Sequence, residues 1–298
     1  LREDGFIEVE TPAMNKYYGG AAATPFTTYS AHDEATRYLR VSPECYLKRM
    51  LCGGFERIFE ISRNFRNEAR DASHCPEYSA IEWYEAWTDY TFQMKRVEHL
   101  VAELAHQVNG SPGITVDGAT IDVTPPWRRV RVLESVAGAL DRPVDSIRSF
   151  DAAEAALREQ NPEAPTPTSW GEAIKELFEL LVEPELFAPA FVIDHPADIS
   201  PLTKSHRDDP ALVERFEVFI AGMEVGDAYS ELNDPVEQRR RLENQEGNGE
   251  LYGVDQAFLH AVDYGMPQCG GVGLGIDRLI MLLTGLDDMR DVITFPNG

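Results

Sequence analysis

Residues 55–68 read Phe-Glu-Arg-Ile-Phe-Glu-Ile-Ser-Arg-Asn-Phe-Arg-Asn-Glu, and after a polar loop through His74, Pro76 and Glu77 the chain returns as Ala80-Ile-Glu-Trp-Tyr84. Phe55–Ile61 and Ser79–Trp87 are rich in strand-favouring residues, so they read as an antiparallel pair with the loop as its connection. Arg66 and Glu68 stand at the tip, on one face by the strand period of two. A guanidinium presents a planar, always-charged fork that suits a phosphate, and a carboxylate beside it accepts from an adenine amine or a substrate ammonium. Glu82 and Tyr84 share a face of the returning strand by the same period. Taken alone, the triplet Arg66-Asn67-Glu68 reads as a surface hairpin with scattered ion pairs. The rest of the chain has to decide.

With 43% hydrophobic residues among 298, the chain can bury one large core or two modest ones, and 10% aromatic content argues against disorder. No run of eighteen apolar residues and no signal peptide is present, so a soluble, cytoplasmic protein is expected. Cys45, Cys52, Cys75 and Cys269 lack metal-site spacing and are expected to be buried or free thiols. A net charge of −24 disfavours a broad nucleic-acid footprint. The chain opens at Leu1 in mid-pattern, and a fragment or trimmed domain is expected.

Upstream of the hairpin, Phe6, Ile7 and Val9 read as a strand ended by Thr11-Pro12. Ser42-Pro43 open a helix expected to run through Met50 and stop at Gly53-Gly54. Asp89 caps the next helix. Residues 110–200 are weaker in pattern: a hairpin around Asp117-Gly118, helices over 149–160 and 170–182, and a proline-rich stretch between them. That region reads as an insertion or second lobe, or as a continuation of the first core. The remaining strands begin near Phe191, and the whole predicts an α+β fold, an antiparallel sheet flanked by helices.

Glu217, Glu224, Asp227 and Glu231 crowd within fifteen residues. Such carboxylates repel unless cations compensate, and hard oxygen ligands suit Mg²⁺, which binds through one or two carboxylates plus substrate phosphates. A solvated acidic hairpin is the competing reading. Alternation puts Asp227, Tyr229 and Glu231 on one face and Glu224 on the other, so a bulge at Gly226 is required if Glu224 is to join them. Finally, Gly270-Gly271-Val272-Gly273-Leu274-Gly275-Ile276-Asp277-Arg278 reads as a glycine-rich strand entering a helix, with Arg278 in its first turn. It has neither dinucleotide-fingerprint nor P-loop spacing.

Taken together these blocks resemble a class II aminoacyl-tRNA synthetase, and within that class the lysyl-tRNA synthetase catalytic domain. Gly5–Pro12 is similar to the end of the first class motif, Phe65–Glu68 with His74–Tyr78 to the second, and Gly273–Arg278 to the third. Ser42–Arg49, His195–Leu202 and Ser230–Pro235 add to the likeness, which covers essentially residues 1–298 as one catalytic domain.

The resemblance implies a class II synthetase-like fold and the activation of lysine by ATP, with transfer to tRNA(Lys). It implies that Arg66 holds the α-phosphate and Glu68 the adenine amine, that His74 belongs to the ATP site and Tyr78 stacks on the adenine, and that Arg278 holds the γ-phosphate. Arg66 and Arg278 are the implied catalytic residues, and Glu217 with Glu224 the implied Mg²⁺ ligands. For lysine it implies Glu44 and Glu82 at the α-ammonium, Glu231 and Tyr84 at the side-chain ammonium, and position 227 near the α-carboxylate. It also implies a homodimer through the first motif. Three departures stand out. The family usually has asparagine where this chain has Asp227, which requires the extra anion to be protonated, paired or shared with metal, or the substrate to differ. Cys75 replaces another common asparagine. The N-terminal anticodon-binding β-barrel that the resemblance implies is expected to lie outside these 298 residues. A paralogue that lysylates elongation factor P, the lysyl domain of a lipid-lysylating fusion, and a catalytically silent binding domain are the rival readings.

Overall fold

The computed structural model describes residues 1–18, 23–247 and 254–296. Eight strands form the main sheet: β1 (Ile7–Glu8), β5 (Arg57–Phe65), β6 (Glu77–Ala86), β9 (Arg128–Arg131), β10 (Ala190–Pro196), β11 (Leu212–Ile220), β12 (Met223–Ser230) and β13 (Cys269–Gly275). Their spatial order is β1-β5-β6-β13-β12-β11-β10-β9. The five inner pairings are antiparallel, whereas β1 runs parallel to β5 and β9 parallel to β10. The sheet is thus antiparallel in its body and parallel at both edges. Smaller sheets are built from β2 (Met14–Asn15), β3 (Thr27–Ser30) and β4 (Ala35–Leu39), and from the hairpin of β7 (Gly113–Val116) and β8 (Ala119–Asp122), which turns at Asp117-Gly118.

Pleating gives the sheet two different faces. One row of cross-strand partners, Phe59, Trp83, Val272, Ala228, Phe216 and Ile193, is wholly buried. It is covered by α2 (Tyr90–Asn109), whose inward stripe is Met94, Val97, Val101 and Ala105, and by α8 (Ile276–Thr284). Asp89 caps α2 as its side chain accepts from the amides of Thr91 and Phe92. The next row on the opposite face, Glu60, Glu82, Gly273, Asp227 and Glu217, is polar. Charge on that face survives because Glu82, Asp227 and Glu217 open into a cleft, while the buried Glu60 is paired with Arg40.

At one end of the cleft face, α3 (Val132–Ala139), α4 (Phe150–Gln160) and α5 (Trp170–Leu181) cover Val130, Val192 and Phe219 in a second apolar cluster. Ser149 and Ser169 cap α4 and α5. At the other end lies α1 (Glu44–Cys52), two residues longer than the expected run through Met50 and stopped, as expected, at Gly53, which takes the cap. Leu47 and Leu51 seat it on Ile58 and Tyr84. The rim is completed by α6 (Pro235–Gly247) and α7 (Gln256–Tyr264), whose Leu242, Phe258 and Leu259 pack together; a short α9 (Met289–Val292) is the last helix of the described residues. Among the described residues no helix is long and apolar enough to cross a membrane.

Candidate active site

All twelve candidate residues line one cleft of about 1440 Å³, more room than the roughly 300–1,000 Å³ of a single-ligand pocket. They fall into two groups, one around two arginines and one around buried carboxylates.

The first group gathers where the β5–β6 loop meets the first turn of α8. Arg66 lies with its guanidinium over the Tyr78 ring, 5.3 Å from the centroid, and its buried Nε has no hydrogen-bond partner among the described residues. A buried guanidinium donor left open is costly unless an anion meets it. The Tyr78 hydroxyl reaches the Val41 carbonyl at 3.3 Å. Glu68 is exposed and accepts from the Thr24 amide at 3.0 Å. Arg278 donates to His74 Nε2 (2.8 Å), to the Glu224 carbonyl (2.6 Å) and to the Ser73 carbonyl (3.2 Å). Because Nε2 accepts from Arg278, the proton of a neutral His74 ring sits on Nδ1 and is donated to Asp71 at 2.8 Å. That hydrogen bond, with the Ser73 amide, holds the Asp71 carboxyl down at about 2.

The β11–β12 hairpin turns at Ala221-Gly222, both with positive φ (56° and 73°). Its bulge lies one residue from the expected Gly226. The register slips between Val218, opposite Gly226, and Phe219, opposite Glu224, so Val225 is the extra residue. The reason is packing: Val225 buries its side chain in the core, while Gly226 presses so closely on Leu274 that a Cβ would come within 2.3 Å of it. The inserted residue aims Glu224 into the cleft with Asp227. Burial, relieved in part by Arg215, lifts the Glu217 carboxyl to about 7; burial and then repulsion from Glu217 lift Glu224 to about 7. Behind Glu217, His195 is buried with Nε2 on the Val192 carbonyl, and burial depresses it to about 3, so the ring is neutral. Among the described residues no group of three or more His, Cys, Asp or Glu side chains could hold an ion unaided. Two crowded carboxylates, Glu217 half-buried and Glu224 at the open side of the cleft, fit a cation whose remaining ligands come from elsewhere.

Asp227 does not face the cleft unpaired. Arg215 Nε meets its Oδ1 at 2.9 Å, the Ala228 amide donates to the same oxygen, and Arg215 Nη2 bridges on to Glu217 at 2.8 Å. Of the alternatives open for this position, pairing is the one observed.

The second group is the deepest part of the cleft. Glu82, 8% exposed, accepts from Ser42 Oγ at 2.9 Å and from the Tyr84 hydroxyl at 3.2 Å, and burial followed by repulsion from Glu44 pushes it up to about 8. Glu44 accepts from the Tyr229 hydroxyl at 2.6 Å. Glu231 Oε1 is buried without a hydrogen-bond partner among the described residues. The floor beneath is glycine by necessity: a Cβ at Gly271 would lie 2.0 Å from Glu231 Oε1 and 2.5 Å from the Tyr84 ring.

Four residues of this site escaped sequence reasoning: Lys48, Arg215, Ser42 and Tyr229. Three left a usable signal: Lys48 follows Glu44 by one helical turn, Arg215 precedes Glu217 by the strand period, and Tyr229 alternates onto one strand face with Asp227 and Glu231.

The whole of residues 1–298 matches the family described as tRNA synthetases class II (D, K and N). The chain belongs to that family. It is 45% identical over 304 residues to a lysine--tRNA ligase of Clostridium perfringens, covering 99% of this chain and 61% of the relative. Lysine--tRNA ligases of Chloroflexus aurantiacus (43%; 100% of this chain, 62% of the relative) and Thermosynechococcus vestitus (46%; 99% and 60%) are similar to the same extent. This class II synthetase domain therefore spans about three-fifths of the length of these relatives.

Proposed function

We propose that the chain carries the lysine-activating site of a lysine--tRNA ligase. The observation that carries this reading is the pair of subsites in one cleft. Buried Glu44, Glu82 and Glu231 form an anionic pocket suited to a substrate with two ammonium groups, and Arg66 with an open buried Nε stands across from it, suited to a phosphate. The reaction is in-line attack of a lysine carboxylate oxygen on the α-phosphorus of ATP, with pyrophosphate leaving and lysyl-adenylate formed. Such a step needs positioning and charge neutralisation more than a general base.

In this reading Arg66 holds the α-phosphate. Arg278 exchanges its contact with His74 for the γ-phosphate, and Glu68 and Tyr78 receive the adenine. Glu44 and Glu82 take the α-ammonium, Glu231 and Tyr84 the side-chain ammonium. Arg215 keeps Asp227 neutralised beside the α-carboxylate. Glu217 and Glu224 would hold magnesium, which supplies charge neutralisation to the phosphates when bound. The acceptor is tRNA(Lys), to which the missing length of the relatives would contribute. We also place a homodimer contact on the β1 edge, where Ile7 is 53% and Ile61 on the neighbouring strand 55% exposed.

Lysine-dependent exchange of pyrophosphate into ATP with magnesium tests activation. Arg66→Ala and Arg278→Ala should each lower it by at least about a hundredfold; exchange surviving both changes would sink the assignment. Offering tRNA(Lys) and elongation factor P to the full-length protein tests the acceptor.

A further inference from the structure

At the bottom of the carboxylate pocket the protein supplies a lysine of its own. Lys48 is 0% exposed, and its ammonium touches both Glu44 Oε1, one turn back on α1, and Glu231 Oε2 on the far side of the pocket. It also lies under the Tyr229 ring, 5.2 Å from the centroid. A fully buried ammonium is tolerated only where carboxylates and hydrogen bonds replace water, so the position is strongly determined. Core filling does not demand it: Leu47 and Leu51 already seat this helix, and a methionine would occupy the same volume without charge.

The contacts leave a definite remainder. Lys48 takes Glu231 Oε2 and shares Glu44 Oε1 with the Tyr229 hydroxyl. Glu231 Oε1, which faces Gly271 and the Tyr84 ring, stays open. Among the described residues, the hydroxyls of Ser42 and Tyr84 hold Glu82, and they bring no positive charge. Counted with all three carboxylates ionised, as they are once a ligand's ammonium groups replace the proton that the empty pocket keeps on Glu82, three against one internal ammonium leave two negative charges for the ligand to meet.

We propose that Lys48 is a specificity-determining residue that sets this deficit at two, so that the fully ionised pocket is neutral when a ligand brings two ammonium groups. The inference rests on the lysine-activating reading above and adds to it a residue that need not touch the substrate. An amino acid with one ammonium leaves a buried carboxylate still protonated or uncompensated, and one with two pairs them all. Lys48 also holds Glu44 and Glu231 together, so that the distance between the two ammonium subsites is fixed from beneath.

The test is a charge-count cycle read as the KM for lysine in pyrophosphate exchange, with the KM for ATP measured alongside. Lys48→Met leaves three anions for two ammonium groups, and the lysine KM should rise at least about thirtyfold while the ATP KM stays within about threefold. Glu44→Gln leaves one net anion and should raise the lysine KM as well. In Lys48→Met/Glu44→Gln the count returns to two, so adding Lys48→Met to Glu44→Gln should lower the lysine KM, by about tenfold. A lysine that only supports the helix would raise it. The double variant removes both members of an ion pair, a change buried sites commonly tolerate, so the comparison with Glu44→Gln stands even if Lys48→Met alone does not fold. A lysine KM that is unchanged in folded Lys48→Met, or that rises when Lys48→Met is added to Glu44→Gln, overturns the inference. Absence of lysine-dependent exchange in the unaltered protein would instead overturn the proposed function.

Discussion

Gly271→Ala tests the geometry of the carboxylate pocket most directly. The new methyl group would sit 2.0 Å from Glu231 Oε1 and 2.5 and 2.8 Å from two carbons of the Tyr84 ring. Carbon atoms in contact rest about 3.5–4.0 Å apart, so the ring alone has to withdraw by roughly 1 Å. It cannot do so freely, because Tyr84 is 3% exposed and packs on Leu47 and Ile58. Nor can the glycine retreat, since β13 is hydrogen-bonded to β6 on one side and β12 on the other. The Glu231 carboxylate therefore moves, and its contact with Lys48 moves with it. Overpacking of this kind costs about 1–3 kcal/mol of stability. A misplacement near 1 Å in a binding constellation costs on the order of a hundredfold in rate. Lysine-dependent pyrophosphate exchange should show the loss as a raised KM for lysine with the KM for ATP nearly unchanged, and thermal unfolding should show a lower midpoint. Gly273→Ala is the companion for stability: its Cβ meets nothing nearer than 3.5 Å, so its unfolding midpoint should match the parent's. A Gly271→Ala protein with the parent's midpoint and lysine KM would refute the geometry.

Three further outcomes are expected. Glu82 is raised to about 8 when folded against 4.5 as its ordinary value, so the folded state binds the extra proton and stability falls as pH climbs from about 4.5 to about 8; Glu82→Gln should gain on the order of 2 kcal/mol over the parent at pH 9 and little at pH 4, by denaturant unfolding at both values. Equal gains at the two pH values would contradict a proton on Glu82. Asp227→Asn should change the lysine KM by less than about threefold, because Arg215 already neutralises the anion, and should lower stability by about 1 kcal/mol, the half-exposed setting weakening the pair. A large gain in lysine affinity would show that the pairing with Arg215 leaves the charge effective. Tyr229→Phe removes the donor 2.6 Å from Glu44 and should raise the lysine KM by about tenfold, since a hydrogen bond to a charged group contributes roughly 1.5 kcal/mol or more; an unchanged KM would show that Lys48 alone holds Glu44.

Much of this protein is written in short-range pattern. The strand, loop and strand around Arg66, Glu68 and Glu82, the hairpin of Glu217–Glu231 with its bulge, and the glycine-rich strand entering the Arg278 helix are all legible because turn chemistry, alternation and capping act over a few residues. The bulge was misplaced by one residue because its position depends on contacts, namely Val225 seeking the core and Gly226 passing against Leu274. The likeness of ordered motifs to class II synthetases identified the family for the same local reason.

The tertiary structure alone decided what those motifs do to one another. The glycine-rich β13, late in the chain, enters the sheet between β6 and β12, and only that pairing sets Glu60, Glu82, Asp227 and Glu217 in one row with a glycine gap between them. Strand register across distant segments is chosen by the buried face, not by either strand alone. Lys48 likewise reads in sequence as a partner for Glu44; that it also meets Glu231, and so sets the charge of the pocket, follows from a helix and a strand brought together by packing.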